Sequence, residues 1–174
     1  TPVCSSAASD VYKRQSGSCD NLRKDTCGHN MTFFSLKNYL DHYSTLSPHY
    51  QVKMNSSFQG GWDKNSQTLN VIHVPSIFYG TKIRPGTVKL RFYITGSLVG
   101  ELSDEKENGE LIQTLPTGSA YSGSVAGVVL YNEGFVMLTG SWDRSGDEFH
   151  FATASHGPTD KPKWIYWGTG ARDN

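Results

Sequence analysis

Glu101, Asp104 and Glu110 are the residues whose type and spacing come nearest to chemistry. Two carboxylates facing each other across a sugar are what glycoside hydrolysis needs, one as general acid and the other as base or nucleophile. Here all three flank a single short turn. Hairpin ends are commonly acidic because they are solvated, so the sequence favours a charged hairpin tip over a catalytic pair. The same turn begins like a calcium loop, with Asp104, Asn108 and Gly109 at its first, fifth and sixth positions. Lys106 takes the third position, where a cation opposes metal binding, and Leu115 stands where a bidentate glutamate would close the site.

Other candidates each lack an essential member. Residues 118–124 place two glycines at phosphate-loop spacing without the lysine, and Ser124 in Gly123-Ser124-Val125-Ala126-Gly127 comes one place early for a nucleophile elbow. The six histidines form no His-Glu-x-x-His element, and His150 and His156 read as surface residues of a strand and a loop. Cys19, Cys27 and His29 match no zinc spacing and have no fourth ligand. Trp142, Trp164, Tyr166 and Trp167 suggest a sugar-stacking platform, although strand aromatics more often anchor a core or an interface. Asn30-Met31-Thr32 and Asn55-Ser56-Ser57 match the glycosylation sequon, which matters only for a secreted chain. The sequence therefore predicts no catalytic, metal-binding or cofactor-binding residue, and no enzyme.

These residues must be positioned by a fold, and composition indicates its class. The chain has 174 residues with 16 basic and 16 acidic side chains, and this balance argues against a nucleic-acid partner. Its 18 glycines and 12% aromatics suit short strands joined by tight turns. No apolar run approaches the roughly 20 residues that span a bilayer, so no membrane partner is expected.

The clearest structural instruction is residues 122–142. Val125, Val128, Val129, Leu130 and Tyr131 form one apolar run and residues 135–138 a second, with Asn132-Glu133-Gly134 between them. This reads as a hairpin with a three-residue loop closed by Gly134 at positive φ. Its near-continuous apolar character places it at the centre of a sheet, covered on both faces. Over 87–95 the pattern alternates, with Val88, Leu90, Phe92 and Ile94 on one face and Lys89, Arg91, Tyr93 and Thr95 on the other. Strands are also expected at 51–54, 69–74, 98–103 and 110–114, around Phe149 and Phe151, and at 164–167. A polar loop is expected at 155–162. Phe33, Leu36, Leu40 and Tyr43 at helical spacing predict one short helix that ends before Pro48 and lies across a sheet or a neighbouring subunit. Together these predict an all-β, single-domain antiparallel β-sandwich or jelly-roll-like fold with one short N-terminal helix.

Residues 1–30 stand apart. Val3-Cys4-Ser5-Ser6 and residues 10–15 resemble the translated sequencing-adapter read-through found at the ends of metagenomic reading frames, and Cys4, Cys19 and Cys27 all precede Met31. Residues 1–30 are thus expected to be a non-native or disordered leader, with Met31 the start of one β-rich domain over 31–174. Without the leader's four basic and three acidic residues the balance is 12 against 13, near −1. A domain free of cysteine has no disulfide framework.

Five strings carry a family resemblance. They are Ser57-Phe58-Gln59-Gly60-Gly61-Trp62, His73-Val74-Pro75-Ser76-Ile77-Phe78-Tyr79-Gly80, Asn108-Gly109-Glu110-Leu111-Ile112-Gln113, residues 123–142, and Pro162-Lys163-Trp164-Ile165-Tyr166. They resemble virion structural proteins of tailed bacteriophages, especially those infecting marine cyanobacteria. The resemblance implies a particle component, in tail, fibre, baseplate or head, without a known catalytic role. It implies a virion protein assembled in the host cytoplasm, with other virion proteins as partners, and a homo-oligomer. The alternative is a carbohydrate-binding module of a tail or fibre that recognises a host surface glycan.

If 1–30 are a dispensable leader, a chain beginning at Met31 melts within a few degrees of the full-length protein, as checked by calorimetry. A large loss of stability would show that the leader belongs to the fold.

Overall fold

The computed structural model describes residues 36–57, 61–151, 159–169 and 172–173. The leader with its cysteines and His29, the sequon at Asn30, Phe33, residues 58–60 and His156 lie outside the described residues.

The alternating stretch becomes β4 (Lys89–Ile94), in which Phe92 and Ile94 are buried while Lys89, Arg91 and Tyr93 are exposed. It starts an antiparallel run through β5 (Ser97–Ser103), β6 (Glu110–Leu115), β7 (Val125–Leu130) and β8 (Phe135–Leu138). The earlier strand β3 (Asn70–His73) pairs with β8 and completes a six-stranded sheet of order β3-β8-β7-β6-β5-β4. Two small sheets accompany it. One pairs β1 (Lys53–Met54) with β2 (Trp62–Asp63), and the other orders β10 (Thr159–Asp160), β9 (Phe149–His150) and β11 (Arg172–Asp173). The fold is mostly β and sandwich-like, with one short α-helix among the described residues, as the sequence predicts. Among the described residues no helix is long and apolar enough to cross a membrane.

The large sheet is curled, and the cause is visible in its registers. Between β4 and β5 the pairing passes from Phe92–Gly100 to Tyr93–Leu98, which leaves Val99 over. In the same way Thr114 is extra between β5 and β6, and Ala126 between β6 and β7. Each extra residue bends its strand and increases the local twist. The curl is tied at its edges by Trp167. Its carbonyl accepts 2.7 Å from Asn70 Nδ2 on β3, and its indole N–H donates 2.9 Å to the Arg91 carbonyl on β4.

The described helix, α1, covers 36–43 and turns Leu36, Leu40 and Tyr43 inward to the core shared with the sheet. Tyr43 also accepts 3.0 Å from the Asn132 amide and donates 2.9 Å to Glu133, so α1 lies against the turn of the central hairpin. Both strands of that hairpin are buried on both faces as expected.

Three expectations need correcting. The hairpin turn has four residues, not three, because Leu130 is the last residue paired, with Phe135, and the Gly134 amide donates 2.9 Å to the Leu130 carbonyl. Tyr131 thus leaves the strand, and its hydroxyl bonds Asp104. Residues 164–167 form no strand. Trp164–Tyr166 is a 3-10 turn, closed by a 3.0 Å bond from Trp167 N to Trp164 O, because the fully buried Trp164 indole must reach inward. A Cβ on Gly100 would stand 2.8 Å from that ring, so only glycine leaves it room. Finally, Glu101, Asp104 and Glu110 are not solvated but 8%, 1% and 5% exposed.

Gly134 has φ +71°, and a Cβ there would lie 2.4 Å from the Tyr79 hydroxyl oxygen and 2.5 Å from the Val74 carbonyl oxygen. Gly134→Val is therefore expected to destabilise by about 2–4 kcal/mol, combining backbone strain with overpacking. Urea denaturation of the variant measures it, and an unchanged midpoint would contradict this account of the turn.

Candidate functional site

A cleft of about 610 Å³ opens over β7, where Val125, Gly127 and Val128 contribute to its lining. That volume lies within the range of small-molecule sites. Two aromatic walls flank it. On one side His49, from the 3-10 turn Pro48–Tyr50, stacks on Trp62 of β2 with ring centres 5.0 Å apart. On the other, Tyr121 from the 116–124 loop stacks on Trp142 at 5.2 Å. Tyr121 remains 43% exposed, which leaves ring surface for a ligand.

Buried polar groups hold both walls. The first is tied down by Lys64, only 2% exposed, whose ammonium donates 2.7 Å to the His49 carbonyl and 2.5 Å to that of Gln51. It also lies 5.1 Å from the Trp62 ring centre, a cation–π distance. The Trp62 indole donates 2.8 Å to the same Gln51 carbonyl. Burial pushes the Lys64 pKa down to about 7 and lowers that of His49. The Ser47 hydroxyl bonds Glu110, joining this wall to β6.

The second wall hangs on Gln113 of β6. Its side-chain oxygen accepts from Trp142 at 3.0 Å and from Trp164 at 3.1 Å, and its amide donates 3.0 Å to the Ser119 hydroxyl. Its backbone exchanges bonds with the same loop, donating to Ser124 O and accepting from Gly123 N, each at 2.9 Å. The 118–124 amides that sequence spacing likened to a phosphate cradle are thus partly spent within the chain. In contrast, the side chains of Ser122, Ser124, Ser141 and Gln67 line the cleft with no hydrogen-bond partner among the described residues. Hydroxyls and an amide beside aromatic rings can bond a sugar's hydroxyls while its C–H face stacks.

Of the four aromatics predicted as a platform, only Trp142 lines this cleft. Trp164 is core, Tyr166 stacks on Phe151 at 4.6 Å and bonds Asp160, and Trp167 ties the sheet edges. None of the three carboxylates lines it either. Glu101 bonds Arg91 at 2.6 Å, and this bond holds its pKa below the usual range. Asp104 accepts from the Gly86 and Gly109 amides and from Tyr131. Burial pushes the Glu110 pKa up, but bonds from Lys106 and Ser47 outweigh it and hold the group ionised. These carboxylates act as internal pins. The calcium-like turn is closed in this way, with both Asp104 oxygens occupied, and among the described residues no group of three His, Cys, Asp or Glu could hold a metal ion. His150 lies in β9 beside Thr159, away from the cleft lining.

Sequence reasoning missed His49, Trp62, Lys64 and Tyr121. A signal existed for Tyr121, an aromatic in a Gly- and Ser-rich loop where no strand can bury it. None existed for Lys64, whose role comes from burial alone. Comparison with family models, with curated proteins and with solved structures finds no match.

Replacing Gln113 by Leu removes the acceptor of two indoles, one of them fully buried. It is expected to lower stability by about 2–4 kcal/mol through unpaired polar groups, as measured by chemical denaturation, whereas Ser119→Ala should cost under about 1 kcal/mol.

Proposed function

We propose that this chain is a non-catalytic carbohydrate-recognition domain of a tailed-phage particle, which holds a host surface glycan between the walls of its cleft. The observation that carries the reading is that two aromatic stacks share one cleft with hydroxyl and amide side chains that have no hydrogen-bond partner among the described residues. Rings supply flat apolar faces for sugar C–H groups, and the polar side chains supply orientation. Because Glu101, Asp104 and Glu110 are engaged in internal bonds outside the cleft, holding a sugar is favoured over cleaving it. The particle setting rests on the resemblance of its strings to virion structural proteins.

A second reading, self-association or contact with other virion proteins, is favoured by a different feature. Ile77 and Phe78, in the 3-10 turn Ser76–Phe78 that follows β3, are 86% and 72% exposed. Two adjacent large apolar side chains held in water are a common mark of a protein contact. The readings are compatible, since a receptor-binding domain that forms an oligomer presents several clefts at once.

A panel of immobilised bacterial polysaccharides tests the main reading. The protein is expected to bind at least one without releasing reducing sugar, and Tyr121→Ala to weaken that binding by about tenfold, the worth of one stacked ring. No binding across the panel, or release of reducing ends, would refute it. For the second reading, light scattering should show an oligomer that Ile77→Ser with Phe78→Ser dissociates. A wild-type monomer at every concentration would remove it.

A further inference from the structure

The loop between β3 and β4 turns two large apolar side chains into water while its other apolar residues turn inward. Val74, Tyr79 and Ile83 pack on the core, whereas Ile77 and Phe78 are 86% and 72% exposed. The backbone fixes this arrangement. Val74 N donates 2.8 Å to Gly134 O and Ile83 N donates 2.8 Å to Tyr131 O, which ties both ends of the loop to the turn of the central hairpin. Between these ties Phe78 N bonds Pro75 O at 3.0 Å and Gly80 N bonds Ser76 O at 2.7 Å, so the 3-10 turn that carries Ile77 and Phe78 is closed on itself.

The charge around this turn is one-sided. Between Asp63 and Glu101 the sequence holds Lys64, Lys82, Arg84, Lys89 and Arg91 and no acidic residue, although the whole chain is balanced at 16 against 16. Lys64 is buried and Arg91 is paired with Glu101. Lys82 and Arg84 are exposed and make no ion pair among the described residues. They follow Phe78 by four and six residues, so the chain holds their Cα atoms within about 14 and 22 Å of its own. Two carboxylates neighbour the loop. Glu133 accepts from the Tyr43 hydroxyl at 2.9 Å, Glu107 lies against Gly86, beyond Arg84, and neither pairs with Lys82 or Arg84.

We propose that this turn docks on an anionic phospholipid bilayer, with Ile77 and Phe78 entering the boundary between headgroups and acyl chains while Lys82 and Arg84 meet lipid phosphates. The inference goes beyond the carbohydrate reading and does not depend on it. The self-association reading uses the same two side chains, and area and charge together favour lipid. An adjacent Ile and Phe offer on the order of 300 Å² of apolar surface, against about 800 Å² per partner in a stable protein interface. A bilayer needs no complementary surface, only apolar side chains that can leave water and cations that hold them at the headgroups. A second copy docked turn to turn would instead bring the cations of both copies together. Such contact needs no spanning segment, so the lack of an apolar run of roughly 20 residues does not bear on it.

The test is sedimentation of the full chain with large unilamellar vesicles, made of phosphatidylglycerol and phosphatidylcholine in equal parts or of phosphatidylcholine alone. Binding is expected to be at least about tenfold tighter to the anionic vesicles, since each cation near such a surface contributes about fivefold. It should weaken between about 0.1 and 0.5 M salt as the headgroup charge is screened. Ile77→Ser with Phe78→Ser should lower affinity for the anionic vesicles at least about tenfold by removing the inserted side chains. Lys82→Gln with Arg84→Gln should bring it to the level seen with neutral vesicles. All four positions are exposed, so both variants are expected to melt as the parent does. A Phe78→Trp variant should shift its fluorescence to the blue on anionic vesicles, the mark of a ring leaving water. Equal binding to both vesicles, binding to neither, binding indifferent to the Ile77 and Phe78 changes, or a Phe78→Trp ring that shows no shift would each overturn the inference and leave the polysaccharide result untouched. Binding to polyglutamate that anionic vesicles fail to displace would overturn it in favour of an acidic protein. An oligomer that the Ile77 and Phe78 changes dissociate, without vesicle binding, would overturn it and leave the pair to self-association.

Discussion

One buried amide, that of Gln113, connects what would otherwise be three separate pieces of this protein. Its oxygen receives two indole N–H groups and its nitrogen reaches Ser119, so a side chain 1% exposed is satisfied in both its chemical roles. A buried amide without partners would cost several kcal/mol, so this position is stable only when the core tryptophan, the cleft tryptophan and the loop are all in place. The constraint runs both ways. Trp164 can be fully buried because Gln113 accepts its proton and Gly100 gives it room, and Trp142 can stand as a cleft wall because the same oxygen anchors its nitrogen.

The other wall depends on buried polar groups of the same kind. Glu110, one strand residue from the acidic turn, holds Ser47, and Tyr50 donates 2.6 Å to the Val129 carbonyl at the heart of the sheet. Lys64 then binds the 49–51 backbone from beneath. A segment with little regular structure is thereby fixed to β6 by the bond from Ser47 to the Glu110 carboxylate, a charge-assisted bond about twice as strong as a neutral one, and to β7 by the neutral bond from Tyr50. The binding surface is irregular, yet its supports are strands, an arrangement that lets loops carry recognition without losing position.

How far the fold could be read from the chain varied with the kind of signal. Alternation at 88–95 identified β4 and its buried face, and the apolar runs around Asn132-Glu133-Gly134 identified the central hairpin and the positive φ of Gly134. Both are local, since a strand's two faces and a turn's φ follow from a few successive residues. The reading of 164–167 as a strand failed because aromatic-rich segments suit strands and 3-10 turns alike, and the choice was made by a partner 51 residues away in the chain. Glu101, Asp104 and Glu110 were expected in water for a similar reason. Acidity favours solvent until specific donors are brought to it, and those donors, Arg91, Tyr131 and Ser47, come from three other segments.

Sequence alone determined the class of the fold, the central hairpin, the inward face of α1 and the buried and wet faces of β4, because all of these depend on the period and continuity of apolar residues along the chain. Tertiary structure decided the curl of the sheet, the burial of the three carboxylates and the cleft itself. The bulges at Val99, Thr114 and Ala126 are set by pairing with a neighbouring strand, and pairing leaves no mark in either strand taken singly. His49 meets Trp62, and Tyr121 meets Trp142, only after the segments carrying them have been fixed to the sheet by Lys64 and Gln113. Which aromatic rings become core and which become a binding wall is therefore a property of where the buried hydrogen-bond partners lie.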